Sequence, residues 1–294
     1  MMLPSELILA EDGSIYHLGL KPGELAEKII LVGDPNRVEK FEKYFDTIEM
    51  RREKREIKSI TGKYKGQRLS VVSTGMGPDN IDIVMTEIDS LFNVDFLKRT
   101  TKEKKTQLTF LRLGTCGGFS DIAVGDFVFS SAAIGTDGLL HFYNCPFSSE
   151  DLALTKAVTL FFKEHFTLPI VPYATFASPD FMSLIKTDFP HIKTGMTLTS
   201  GGFYGPQGRK LERLPLVENQ YLEKWDNFEF SPYKMTNLEM ETSAIYGMGR
   251  LFNHRCGAIS LVLASRKKGE FIVDMDKAMQ DLLIQGLDLI TRLI

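Results

Sequence analysis

"KIILVGDPNRVEKFEKYF", Lys28 to Phe45, decides the fold class. Its first five residues are a short aliphatic run, rich in β-branched side chains, and predict a buried strand. Gly33 breaks the run, Asp34 suits a helix cap, and Pro35 suits the first helical position. From Pro35 to Phe45 the chain reads as an amphipathic helix. Strand, tight turn and helix in that order are the unit of an α/β protein.

The unit recurs along the chain. "RLSVVSTG" (68–75) predicts a second strand and "PDNIDIVMTEIDSLF" (78–92) a second helix. "QLTFLRLGTCGG" (107–118) and "GDFVFSSAAIG" (125–135) predict further strands. A helix is expected near 149–165, strands near 168–177 and 191–199, a helix at about 240–253, the strand "GAISLVLAS" (257–265), and a helix at the carboxyl end. The alternation predicts a largely parallel sheet covered on both faces. Neither an internal repeat nor a linker-like composition interrupts it, so residues 1–294 are expected to form a single domain.

Composition narrows the function. The chain is 43% hydrophobic with a net charge of −3, so no overall positive field draws nucleic acid, and an anionic ligand must be met by local arginines. No apolar run is long enough to span a bilayer. Cys116, Cys145 and Cys256 are widely spaced, and the five histidines lack ligand spacing, so neither a disulfide framework nor a metal is expected. A cytoplasmic globular protein is the expectation. The charged stretch "KRTTKEKKT" (98–106) reads as a solvated loop.

Ligands of open α/β sheets sit beyond the carboxyl ends of the strands. Gly33 and Arg37 fall there after the first strand. Arg112 stands inside an apolar strand, where an arginine needs an anion or a core carboxylate as partner. Thr115 and its flanking glycines offer a hydroxyl and backbone donors to the same place. Glu239 and Glu241, two apart where a strand gives way to a helix, suit acid–base chemistry, a helix cap, or a grip on sugar hydroxyls with Met240 beneath the ring. Cys116 has no histidine nearby in sequence to activate it and reads as a small filler. "GGFYGPQGR" (201–209) packs four glycines, a proline and two aromatics into nine residues before its terminal arginine. Such a loop walls a flat ligand with an amide and a guanidinium at its edge.

"YHLGL" (16–20), "GDPNRVEKF" (33–41), "VVSTGMGPDN" (71–80), "FLRLGTCGG" (110–118), "FYGPQGR" (203–209) and "LEMETSAIY" (238–246) together resemble the nucleoside phosphorylase-I superfamily, and its uridine phosphorylase branch most closely. The resemblance implies a three-layer α/β/α sandwich around a central mixed, barrel-like sheet. It also implies a pentosyltransferase that cleaves a nucleoside with inorganic phosphate, giving free base and ribose 1-phosphate. On this likeness Gly33, Arg37, Arg112 and Thr115 form the phosphate site, joined by Arg55 of a neighbouring subunit. Glu239, Met240 and Glu241 form the ribose site, to which a neighbour lends His17. Phe203, Gln207, Arg209, Leu263 and Arg266 meet the base. Purine-acting members carry an Asp after the Ser that ends the late strand, whereas this chain has Arg266 after Ser265. Arg112, Arg209, Gln207 and Arg266 are thus the expected catalytic set, acting on uridine or deoxyuridine. The remaining readings are a purine or broad-specificity phosphorylase or nucleosidase of the same fold, and a non-catalytic nucleoside-binding protein.

No cofactor is implied beyond phosphate as co-substrate. The partners implied are small molecules and further copies of the chain, a homodimer as the smallest active unit or a homohexamer, with neither nucleic acid nor membrane. The resemblance extends to a monovalent-cation site between subunits, for which Glu56 is retained. Asp79, however, stands where the bacterial pattern has a Ser.

Overall fold

A computed structural model describes residues 1–119, 121–265 and 267–293. It begins with β1 (Lys28–Val32), α1 (Pro35–Glu39), and the strands β2 (Thr47–Lys54), β3 (Ile57–Tyr64) and β4 (Gln67–Ser73). Next come α2 (Pro78–Asn93), the short pair β5 (Val94–Asp95) and β6 (Thr100–Thr101), then β7 (Thr109–Gly118) and β8 (Phe127–Gly135). α3 (Ser149–His165), β9 (Tyr173–Phe176), α4 (Pro179–Asp188) and β10 (Lys193–Thr199) come after them. α5 (Tyr221–Asp226), β11 (Glu229–Phe230), β12 (Tyr233–Glu239), α6 (Thr242–Leu251), β13 (Arg255–Ser265), β14 (Glu270–Phe271) and α7 (Met275–Arg292) complete the described chain.

The main sheet runs β11-β12-β10-β8-β13-β7-β1-β4-β3-β2. A further pairing of β12 with β7, through Asn237–Gly118 and Leu238–Gly117, closes five of these strands into a ring. Parallel pairs are present: β1 with β4 and β7, β10 with β8 and β12, and β13 with β7. The closure is made differently, by antiparallel contacts of β13 with β8 and of β12 with β7. The sheet is therefore mixed and barrel-like rather than largely parallel. Strand–helix alternation reports crossovers, but not which distant strands meet when a sheet curls shut.

One core packs α2, α6 and α7 against the sheet, and a second buries Trp225 among Phe162, Phe166, Tyr221 and Phe228 beside α3 and α5. α3 starts on a capping box in which Ser148 and Asp151 exchange side-chain and backbone bonds. The helix expected up to residue 45 stops instead at Glu39. Phe45 and Thr47 lie against Gly62 of β3, and Asp46 N donates to Lys63 O, so the chain must already be extended there. A side chain at position 62 would strike the Thr47 carbonyl.

The segment 98–106 is only partly the solvated loop expected. Arg99, with φ of 53°, donates through Nη1 to Leu7 O (2.7 Å) and accepts from Met2 N (2.8 Å), and so ties down the amino-terminal arm. Lys98, Glu103, Lys104 and Lys105 are exposed. No helix among the described residues is long and apolar enough to cross a membrane.

Candidate active site

A cavity of about 640 Å³ opens beyond the carboxyl ends of β1, β7, β12 and β13. Gly33, Arg37, Arg112 and Thr115 line it, as do Met240 and Glu241, and Phe203, Gln207, Arg209 and Leu263. Residues separated by more than 200 positions are thus brought to one chamber by strands that all end there.

The first corner is ionic. Asp34 accepts from Asn36 N (2.9 Å) and caps α1, which aims Arg37 back over the sheet, where its Nη1 donates to Leu113 O (3.1 Å). Arg112 is 5% exposed, and its guanidinium reaches Glu241, Glu239 (3.4 Å) and Ser260 Oγ (3.4 Å). Gly114 makes room for it, because a Cβ there would overlap the guanidinium. Burial, then the charge of Arg112, lowers the Arg37 pKa, opposed by Asp34 and Glu241. Burial alone would lower Arg112 as well, but Glu241 and Glu239 outweigh it and raise that group. At Glu241 burial raises the pKa, opposed by Arg112 and reinforced by Glu239.

The two carboxylates divide the roles left open for them. Glu239 accepts from Thr199 Oγ1 (2.7 Å), Glu241 N (3.0 Å), Thr242 N (3.0 Å) and Thr242 Oγ1 (2.8 Å). It serves the start of α6 with these contacts and also lines the chamber. Glu241 receives Gly77 N (2.8 Å) on one oxygen and Arg112 on the other.

The second corner is the glycine loop. It turns through a single 3₁₀ turn, Gly205–Gln207, and leaves it at Gly208 with φ of 62°, a conformation that favours glycine. Arg209 folds back so that its guanidinium lies 3.5 Å from the centre of the Phe203 ring and donates to Phe203 O (2.6 Å) and to Gln207 Oε1. Phe203 and Arg209, expected as separate wall and donor, are therefore one stacked unit.

Cys116 also lines the chamber. Burial, then the charge of Glu239, pushes its thiol far above the ordinary range, so it supplies no thiolate. The described residues hold no cluster of His, Cys, Asp and Glu that would take a metal. Arg266 lies outside the described residues. His17 and Arg55 are not among the residues lining this chamber. Arg55, at the β2–β3 turn with φ of 54°, donates to Tyr16 OH (3.3 Å), and its neighbour Glu56 lines the rim.

Met76, inside the quoted 71–80 motif but given no role there, and Phe271, outside every quoted motif, are also in the lining. Phe271 is 66% exposed on a strand that pairs with the end of β13. An aromatic just past a glycine turn at the carboxyl end of a strand is the same signal that marks Phe203, and it is present in "RKKGEF".

Residues 27–292 match the family model described as the phosphorylase superfamily. A uridine phosphorylase of Thermococcus kodakarensis is 28% identical over 267 residues, covering 89% of this chain and 81% of its own. A DeoD-type purine nucleoside phosphorylase of Listeria monocytogenes is 27% identical, covering 84% and 85%. Among solved structures, a Trypanosoma brucei nucleoside phosphorylase that shows uridine phosphorylase activity superposes with a TM-score of 0.85 at 29% identity, over 97% of this chain and 98% of its own. A uridine phosphorylase of the oomycete Phytophthora capsici shares the fold, with a TM-score of 0.67 at 22% identity over 97% and 96%. The family match spans both corners of the chamber and the strands between them, and the chain belongs to the phosphorylase superfamily.

Proposed function

We propose that the protein catalyses phosphorolysis of uridine, giving uracil and ribose 1-phosphate. One observation carries the reading: an arginine corner suited to an oxyanion and an amide–guanidinium corner suited to a pyrimidine edge open on the same chamber. Gly33, Arg37, Arg112 and Thr115 hold phosphate below C1′ of the ribose. Glu241 takes the vicinal hydroxyls with Met240 beneath the ring, and Glu239 holds Glu241 in place. Gln207 and Arg209, with Phe203 and Leu263 around them, receive the base. The charge that builds on departing uracil is met by donors already fixed in place. Arg266 joins this set on the sequence alone. The Thermococcus and Trypanosoma relatives support the uridine reading. The Listeria relative favours a purine reading instead, against which stands Arg266 in place of an acidic residue.

Product chromatography after incubation with uridine, cytidine or inosine, each with and without phosphate, tests the reading. Uracil and ribose 1-phosphate are expected from uridine only when phosphate is present. Uracil without phosphate means hydrolysis, equal cleavage of inosine means a purine-acting enzyme, and binding without products means a non-catalytic protein.

The two guanidiniums of the ionic corner face Glu239 and Glu241, with Asp34 beside Arg37, which leaves no net positive charge for a dianion. A third arginine is needed, and we assign it to Arg55 of a second subunit, which makes a homodimer the smallest complete unit. Mixing Arg55→Ala with Arg112→Lys under subunit exchange is expected to restore activity, since each mixed dimer holds one intact site. Exchange without recovery would exclude a shared site.

A further inference from the structure

The glycine loop has two faces. Phe203, Gln207 and Arg209 line the chamber, whereas Gly201, Gly205 and Pro206 line a separate cavity of about 370 Å³. No residue lines both spaces, and the loop is their common wall. The second cavity is formed where β8 and β10 end, beside the segment that precedes β9 and the start of α5. Its walls are mostly apolar: Leu168 and Ile170 come from the segment before β9, and Leu214, Leu216 and Val217 from the chain after the loop. Val217 is 78% exposed and Leu214 37%, so part of this apolar surface stands in water.

One carboxylate in these walls has only neutral partners. Asp137 accepts from Leu139 N (2.8 Å), from the Tyr173 hydroxyl (2.8 Å to each oxygen) and from Ser243 Oγ (3.0 Å). Each of these groups has one hydrogen to give, whereas an ionised carboxylate has about four lone-pair positions. At least one position is left over, on a group that lines the cavity. Glu218, the other carboxylate of the lining, is already matched by Lys224 at 2.8 Å. Asp137 is also held in place. Ser243 N donates to Thr199 Oγ1 (3.0 Å), which in turn donates to Glu239 (2.7 Å), so the framework that fixes Asp137 is continuous with that of the chamber. Burial, then the charge of Asp137, raises the Tyr173 pKa well above its ordinary range, which keeps that phenol a donor.

Such a lining repels an anion, and a purely apolar occupant would desolvate the Asp137 carboxylate without matching it. A cation on an apolar stem satisfies both parts. We propose that this rear cavity is a second binding site, for an organic ammonium whose charged head pairs with Asp137 and whose stem covers Leu168, Ile170, Leu214 and Leu216. The proposal goes beyond the reading of the chamber and does not depend on it.

Equilibrium dialysis of the full chain at pH 7 against 4-phenylbutylamine, and against 4-phenylbutan-1-ol as its uncharged counterpart, tests the assignment. The amine is expected to bind about tenfold more tightly than the alcohol, the scale of one hydrogen bond to a charged group. Asp137→Asn keeps an acceptor oxygen for its neighbours and is expected to bring the two affinities within about twofold. Leu216→Trp, which fills the cavity from a half-buried wall position, is expected to weaken both ligands by at least about tenfold, and it decides the matter should the asparagine variant not fold. Phe271→Ala, which alters an exposed wall of the chamber, leaves both affinities unchanged. The proposal is overturned by wild type that does not bind the amine or does not prefer it, by a preference that survives Asp137→Asn, and by unchanged binding in Leu216→Trp. A loss in Phe271→Ala alone would put the amine in the chamber and overturn it too.

Discussion

Arg112→Lys will lose phosphorolysis by roughly 10²–10³-fold while keeping its fold, because a lysine retains the charge but not the two-pronged geometry that an oxyanion requires. The side chain at this position serves two masters. It also pairs with Glu241 and Glu239 in a pocket where all three groups are buried. Removing it outright leaves two carboxylates without their partner, which costs about 3–5 kcal/mol on the scale of buried pairs. That is a large share of the roughly 5–15 kcal/mol that holds a domain folded. Arg112→Ala is therefore expected to be both inactive and markedly less stable. Initial rates across phosphate concentrations, together with urea denaturation, separate the two effects. An Arg112→Lys enzyme with wild-type dependence on phosphate would remove Arg112 from the phosphate site.

The second large effect concerns the base. Uridine is expected to be preferred over cytidine by about 10⁴-fold, the discrimination that polar sites reach when a wrong ligand leaves buried groups unpaired. Gln207 would ordinarily blunt such a preference, since an amide can turn over and exchange donor for acceptor. Here Arg209 donates to Gln207 Oε1, and turning the amide would set its own donors against a guanidinium that can only donate. The stacking of Arg209 on Phe203 holds that guanidinium in place. The amide is thus locked with one polarity. Gln207→Ala is expected to lower the specificity constant for uridine far more than it weakens phosphate binding, and to narrow the gap to cytidine. Comparable constants for uridine and cytidine in wild type would show that the loop does not read the pyrimidine edge.

Whatever local chemistry dictates is legible in the sequence. Lys28–Val32, the cap at Asp34 and Pro35, α2 and α3 follow from apolar periodicity and capping residues, and the structure places each within a residue or two of expectation. The hairpin of β2 and β3 does not announce itself, because "TIEMRREK" alternates half-buried and exposed positions with little apolar contrast, and its turn uses Arg55 rather than glycine or asparagine. Arg112 is recognisable as a buried cation needing an anion. That its partners are both of the glutamates at the β12–α6 junction is a fact of three-dimensional closure, visible only once the ring of strands is drawn. The pairing of His17 with Glu87 spans 70 residues and has no local signature at all.

The open end of the sheet has a consequence for how this molecule behaves in company. β2 is the outermost strand beyond β3, and among the described residues its far side has no neighbouring strand in the sheet. Such an edge is a template on which a strand of another molecule can add. Five of its eight residues, Glu49, Arg51, Arg52, Glu53 and Lys54, are charged, and Glu49 and Arg51 are already engaged by Arg68 and Glu42 of their own chain. An incoming strand would have to break those pairs and bury the charges. The edge is guarded against sheet-to-sheet polymerisation, so another copy of the chain cannot readily extend this sheet.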